Sequence, residues 1–154
     1  MMSEVAKRLA ELGLEIPRPV APVANYVPFV VSGRELFISG QVSMGPNGLV
    51  TGKLGAGMTI EDGIAAAELC GVNLIAQMNA ALDGDLDRVR RIVKLGGFVN
   101  CTPDFTDQPK VINGASDLMV AVFGDAGRHA RAAVGAPSLP LGAAVEVDAI
   151  VEIA

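Results

Sequence analysis

Arg131 is the informative charge in the chain: it stands in His129-Ala-Arg-Ala-Ala-Val134, among small and apolar residues. A guanidinium in such a setting needs an acceptor, because an unpaired charge withdrawn from water is expensive. Two kinds of acceptor fit. One is a carboxylate of the chain itself, Glu146 or another acid, and spacing alone favours that internal ion pair. The other is the carboxylate of a bound small molecule, which the planar fork of arginine can grip with two parallel hydrogen bonds. Glu146 is the second candidate. It lies in Ala144-Val-Glu-Val-Asp-Ala-Ile-Val-Glu-Ile153, where Glu146, Asp148 and Glu152 alternate with apolar residues and so share one strand face. The plain reading of that row is a solvated face; the sharper one has Glu146 orienting a water in a cleft.

Several other chemistries lack their residues. The chain has a single histidine, too few for a His-based metal site. It has no phosphate loop ending in Lys-Ser or Lys-Thr, no GxGxxG after a strand and no HExxH. Cys70 and Cys101 form no CxxC and are expected to be free thiols in a reducing compartment. Cys70 falls beside the apolar face of a predicted helix and reads as packing, Cys101 as a loop residue; thiol catalysis would require His129 to meet one of them. The net charge is −5, the pI about 4.8, and the 12 Lys and Arg form no long basic stretch. With one Tyr, five Phe and no Trp, bases would find few rings to stack on, so nucleic acid is an unexpected partner. The first residues alternate charged and apolar side chains, unlike a signal peptide, and no apolar run approaches the roughly 20 residues of a bilayer span. The expectation is a cytoplasmic protein with no membrane partner.

The elements that must position these residues follow from periodicity. Ser3 to Gly13 reads as a short helix with Val5, Leu9 and Leu12 at helical spacing, followed by an extended connector with Pro17, Pro19 and Pro22. Tyr26 to Val31 and Leu36 to Gln41 read as strands joined at Ser32-Gly33-Arg34, and Pro46-Asn47-Gly48 as a turn. Thr59-Ile-Glu-Asp62 is a capping pattern that predicts a long helix from Ile60 to Leu82. Its Ala65, Ala66, Ala67 and Gly71 are small enough for close packing on a sheet. Val89 to Val99 reads as a strand, Lys110 to Phe123 as a second helix, Arg131 to Val134 as the start of a strand, and Val145 to Ile153 as the last strand. That order fits an α+β (α/β) domain over residues 1–154, a mixed β-sheet with two main helices on one face. Hydrophobic residues make up 51% and the mean hydropathy is +0.44, so a domain this small is expected to hide apolar surface in an oligomer.

The segment from Arg131 through Leu139-Pro140 to Glu146 and Ala149 resembles the C-terminal signature of the RidA/YjgF family: an arginine followed by small residues, a Leu-Pro, then an acid between apolar residues. Leu36-Phe-Ile-Ser-Gly-Gln41 resembles its Ser-Gly-Gln strand end. Asn25-Tyr26 resembles its Pro-Tyr near the first strand. Ile92-Val-Lys94 with Gly97-Phe-Val99 resembles the strand after the long helix, and Val111-Ile-Asn113 the start of the second helix. The blocks occur in the family's order and span roughly residues 22–153.

The resemblance implies a chorismate mutase-like fold and a homotrimer with sites in clefts between subunits. It also implies hydrolysis of reactive enamines and imines, such as 2-aminoacrylate, to 2-keto acids and ammonia without cofactor or metal. It implies that Arg131 binds the substrate carboxylate and that Glu146 lies near the attacking water. Tyr26, Ser39, Gly40 and Asn113 would line the cleft, and Ala133 falls where many members have Cys. His129, Gly135 and Pro137 depart from the usual residues, and residues 1–20, helix and connector, are extra relative to the commonest members. These departures mark a divergent subgroup. Two other functions stay open: a non-catalytic binder of a small carboxylate-bearing metabolite, and an endoribonuclease, as older family names (L-PSP type) have it.

Overall fold

A computed structural model describes residues 3–22 and 24–154. Ser3 caps α1 (Glu4–Glu11), its Oγ accepting from the Ala6 amide at 3.0 Å, and the helix buries Val5 and Leu9. Gly13, at φ +68°, turns the chain out of the helix into the extended proline connector. β1 (Phe29–Ser32) and β2 (Glu35–Val42) form an antiparallel hairpin closed at Gly33-Arg34. Alternation predicts the first strand from Tyr26, but Tyr26 lies in a bend before it. Pro28 has no amide hydrogen for a ladder, so pairing begins at Phe29. The Pro-Asn-Gly turn closes the small hairpin of β3 (Met44–Gly45) and β4 (Gly48–Leu49).

Thr59 and Asp62 make the predicted reciprocal cap of α2 (Ile60–Ala81): Thr59 Oγ1 accepts from the Asp62 amide at 3.1 Å, and Asp62 Oδ2 from the Thr59 amide at 3.3 Å. β5 (Val89–Asn100), α3 (Gln108–Phe123), β6 (Ala130–Ala136) and β7 (Val145–Ile153) complete the chain. The five-stranded sheet runs β1-β2-β7-β5-β6, antiparallel except for the β5/β6 pair, whose crossover is α3.

α2 and α3 cover one face. Val145, Val147, Ala149, Val151 and Ile153 of β7 are buried beneath them, with Leu74, Ile75 and Met78 from α2 and Val111, Ile112 and Met119 from α3. Gly71 was expected against the sheet; it lies against α3 instead, where a Cβ would come within 2.8 Å of Leu118 Cδ2. The reason is that α2 touches the sheet on one side and α3 on another, so its buried arc is wider than a single face. α2 is, among the described residues, the one helix long and apolar enough to cross a bilayer by length and composition, and 56% of its most apolar window is buried in this core.

Candidate functional site

The predicted site residues fall into two groups on opposite sides of the sheet. Arg131 pairs in register with Leu95, which points into the core, so Arg131 also rises on the helix face, at the edge strand β6. There its Nη1 donates to Asn113 Oδ1 at 2.8 Å and to Ser116 Oγ at 3.1 Å. Asn113 and Ser116 are three residues apart on α3 and so face the same way. Ser116 Oγ is also 2.9 Å from His129 Nε2, while His129 Nδ1 is 2.6 Å from the Gly127 carbonyl. That carbonyl can only accept, so in the neutral ring Nδ1 carries the proton and Nε2 accepts from the Ser116 hydroxyl. Hydrogen bonds therefore run in one direction, from Arg131 to Ser116 to His129 to Gly127. Ala133, two residues along the same face, packs at the margin of the core.

The internal ion pair that spacing favoured for Arg131 is absent. The ion pairs among the described residues are Glu4–Lys7, Asp107–Lys110 and Asp125–Arg128, all surface pairs three residues apart. Glu146 cannot serve, because its strand neighbours Val145 and Val147 point into the core and it stands on the uncovered face. Arg131 is thus held by neutral oxygens, partly buried, and among the described residues no carboxylate compensates its charge.

The second group lines a cavity of about 350 Å³ on the uncovered side, where Tyr26, Ser39, Gly40 and Glu146 come together. β2 is irregular between Ile38 and Gln41, which displaces Ser39 and Gly40 from regular pairing. Ser39 Oγ donates to the Val27 carbonyl at 2.9 Å, and its amide to the Pro28 carbonyl at 2.9 Å, fixing the bend that carries Tyr26. A Cβ on Gly40 would lie 2.9 Å from Glu146 Cδ, so the missing side chain is what lets the carboxylate lie against β2. Burial pushes the Glu146 carboxyl above its ordinary range, and the charge of Asp148 adds to the effect. Asp148 is also raised by burial, opposed by a hydrogen bond from the Gly96 amide and by Lys94.

Two buried amides one turn apart on α2 hold the walls of this cavity. Asn73 Nδ2 donates to the carbonyls of Val42 (3.2 Å) and Met44 (2.9 Å). Gln77 Nε2 donates to the Val20 carbonyl at 3.0 Å and to Gln41 Oε1 at 3.4 Å, and Gln41 Nε2 donates to the Ser39 carbonyl at 2.9 Å. These residues, with Ser116 and Leu141, escaped the sequence reading. A signal existed for some: Asn73 and Gln77 are polar at i,i+4 in an otherwise apolar helix stretch, and Ser116 follows Asn113 at i+3. Nothing local marked Leu141, which sits at the cavity mouth in a left-handed conformation, φ +61°. The cysteines are both free and buried, and burial pushes the Cys70 thiol up. His129 is engaged by Ser116 and Gly127 rather than by either thiol. Among the described residues no cluster of His, Cys, Asp or Glu could hold a metal ion.

A mixed sheet covered by two helices on one face, with an arginine at its edge strand and an acid on its uncovered side, defines a chorismate mutase-like subunit. The family model described as "YjgF/chorismate_mutase-like, putative endoribonuclease" matches residues 6–153. The chain belongs to this YjgF/RidA family. It is 54% identical over 151 residues to Protein TCP17 of Trypanosoma cruzi, covering 97% of this chain and 94% of that one. The crystal structure of Atu1372 from Agrobacterium tumefaciens, a protein of unknown function, is 51% identical with a TM-score of 0.91, covering 98% of this chain and 93% of that one. RidA from an Antarctic Psychrobacter is more distant, at 28% identity and a TM-score of 0.59, covering 88% and 94%.

Proposed function

We propose that this protein hydrolyses 2-imino and 2-enamino acids to 2-keto acids and ammonia in a cleft between subunits of a homotrimer, in a reducing, cytoplasmic setting. The observation that carries the reading is Arg131: a partly buried guanidinium oriented by two neutral acceptors and left without a carboxylate. A substrate carboxylate supplies the missing charge. Arg131 and Glu146 lie on opposite faces of one subunit, so a cleft that uses both draws them from two copies.

In this scheme the carboxylate binds Arg131 and the protonated imine lies toward Glu146. The Glu146 carboxylate takes a proton from a water as its oxygen bonds to C2, and the C=N π pair moves to nitrogen. The carboxyl then returns that proton to the amino nitrogen. The C–N bond then breaks as the C2 hydroxyl gives its proton to the Glu146 carboxylate, ammonia departs and takes that proton to leave as ammonium, and the 2-keto acid remains with the carboxylate regenerated. A carboxyl raised toward neutrality suits a group that both takes and returns a proton. The ribonuclease reading draws less support: RNA needs a cationic track, and no Lys or Arg is found among the residues lining the Glu146 cavity.

The test is release of ammonia and 2-keto acid from freshly generated 2-imino acids. Wild type is expected to exceed the buffer rate, and Arg131→Ala to lose about a hundredfold in kcat/KM, the worth of two hydrogen bonds to a charged group. If wild type accelerates no imine while 2-keto acids still raise its melting temperature, the protein is a carboxylate binder and the hydrolase reading falls.

A further inference from the structure

The proline connector forms part of the cavity beside Glu146. Val20, Ala21, Pro22 and Ala24 line it together with Val42, Met44 and Leu141. The connector is held there from the core: the fully buried Gln77 on α2 binds the Val20 carbonyl, and through Gln41 it joins the segment that carries Ser39 and Gly40. The amide orientation is fixed, because the opposite one would set Gln77 oxygen against the Val20 carbonyl. Asn73 holds another stretch of the lining through the Val42 and Met44 carbonyls. The two stretches are therefore set by one helix, one turn apart.

Those walls are apolar, and the volume of about 350 Å³ is far more than a three-carbon acid fills. A reacting carbon placed near Glu146, with its carboxylate directed to an arginine outside this chain's cavity, leaves the remaining space to the substrate's side chain. Leu141 bears on the same point. It is 69% exposed and held at positive φ, a conformation that disfavours a leucine, yet it places an apolar side chain at the mouth.

We infer that Val20, Ala21, Pro22, Ala24 and Leu141 form a side-chain subsite and that the preferred substrates are 2-imino acids with an apolar side chain of about leucine or methionine size, rather than three-carbon ones. This rests on the reaction proposed above and names its substrate class. Each methylene moved from water to the wall should raise kcat/KM roughly fourfold, the equivalent of its transfer free energy of about 0.8 kcal/mol.

The test uses the full chain and imines generated in place by an amino-acid oxidase from alanine, norvaline, leucine and methionine. The expected result is kcat/KM rising along the series, with the leucine-to-alanine ratio falling about tenfold in Val20→Glu and in Leu141→Gly. Leu141→Gly sits at a conformation glycine adopts freely, so it keeps the test independent of folding. A second readout needs no turnover: Tyr26 is the chain's one tyrosine, there is no Trp, and it lines the cavity. Its fluorescence should report 4-methyl-2-oxopentanoate binding more tightly than pyruvate. Turnover of the alanine-derived imine as fast as the leucine-derived one overturns the subsite but leaves the hydrolase. Ratios unchanged in both variants do the same. Turnover of no imine, with pyruvate and the longer keto acid bound equally, removes both.

Discussion

At the scale of single residues, Glu146 carries the sharpest consequence. Its carboxyl is partly buried, flanked by Asp148, and holds its proton above the ordinary value of 4.5. The folded protein therefore binds a proton more tightly than the unfolded chain does. Stability from this group is greatest below the unfolded-state value and is lost as pH rises from there through the raised folded-state value. Glu146→Gln removes that dependence. Melting temperatures measured from pH 4 upward should show wild type losing ground to the variant across the window, then running parallel above it. The same group sets the acid side of the rate. If its carboxylate is the base, the acid limb of kcat/KM lies above 4.5, the ordinary carboxylate value, and Glu146→Gln abolishes most of the activity. An acid limb unmoved in the variant would assign the titration to another group, Asp148 or the imine itself.

At the scale of elements, the long periodic segments were legible and the corners were not. The Thr59–Asp62 cap placed the start of α2, and strict alternation placed β7 from Val145 to Ile153, because in both the local signal and the buried face agree. Tyr26 was misplaced because an apolar run looked like a strand through Pro28. The separation of Arg131 from Glu146 was not legible, since it depends on which strands neighbour β6 and β7 and on parity across a parallel pairing. Gly71 was assigned the wrong neighbour because a helical face does not say whether sheet or helix will cover it. The α2–α3 contact makes a direct test of that packing. Gly114 of α3 lies so close to the Ile64 carbonyl of α2 that an added methyl overlaps it, and the obstacle is backbone that cannot swing away. Gly114→Ala should lower stability by about 3 kcal/mol in denaturant titration, despite alanine's better helix propensity. A neutral result would mean that the two helices can slide apart, and that Asn113 and Ser116 do not hold Arg131 at a fixed depth.

At the scale of the whole molecule, the uncovered sheet face leaves large apolar side chains in water. Val30 (52% exposed), Phe37 (40%) and Val134 (48%) stand on it beside the row that carries Glu146. In the homotrimer proposed above, covering this face would bring the Arg131 group of one chain to the Glu146 group of another, which a single chain keeps on opposite faces of its sheet. Ring assemblies repeat one heterologous interface, so each cleft would take Arg131 from one subunit and Glu146 from the next. That arrangement has a consequence no single-chain site shares. Arg131→Ala and Glu146→Gln subunits should each be inactive alone, but unfolding and refolding them together pairs an intact Arg131 with an intact Glu146 at some interfaces. Random 1:1 mixing gives each ordered interface about one chance in four, so about a quarter of wild-type activity should return. Light scattering on the same mixture reads the assembly state independently. Recovery near that fraction in a trimer establishes a shared cleft. A trimer with no recovery means that the two residues never serve one substrate, and Glu146 would then lose its place in the reaction while Arg131 keeps its carboxylate.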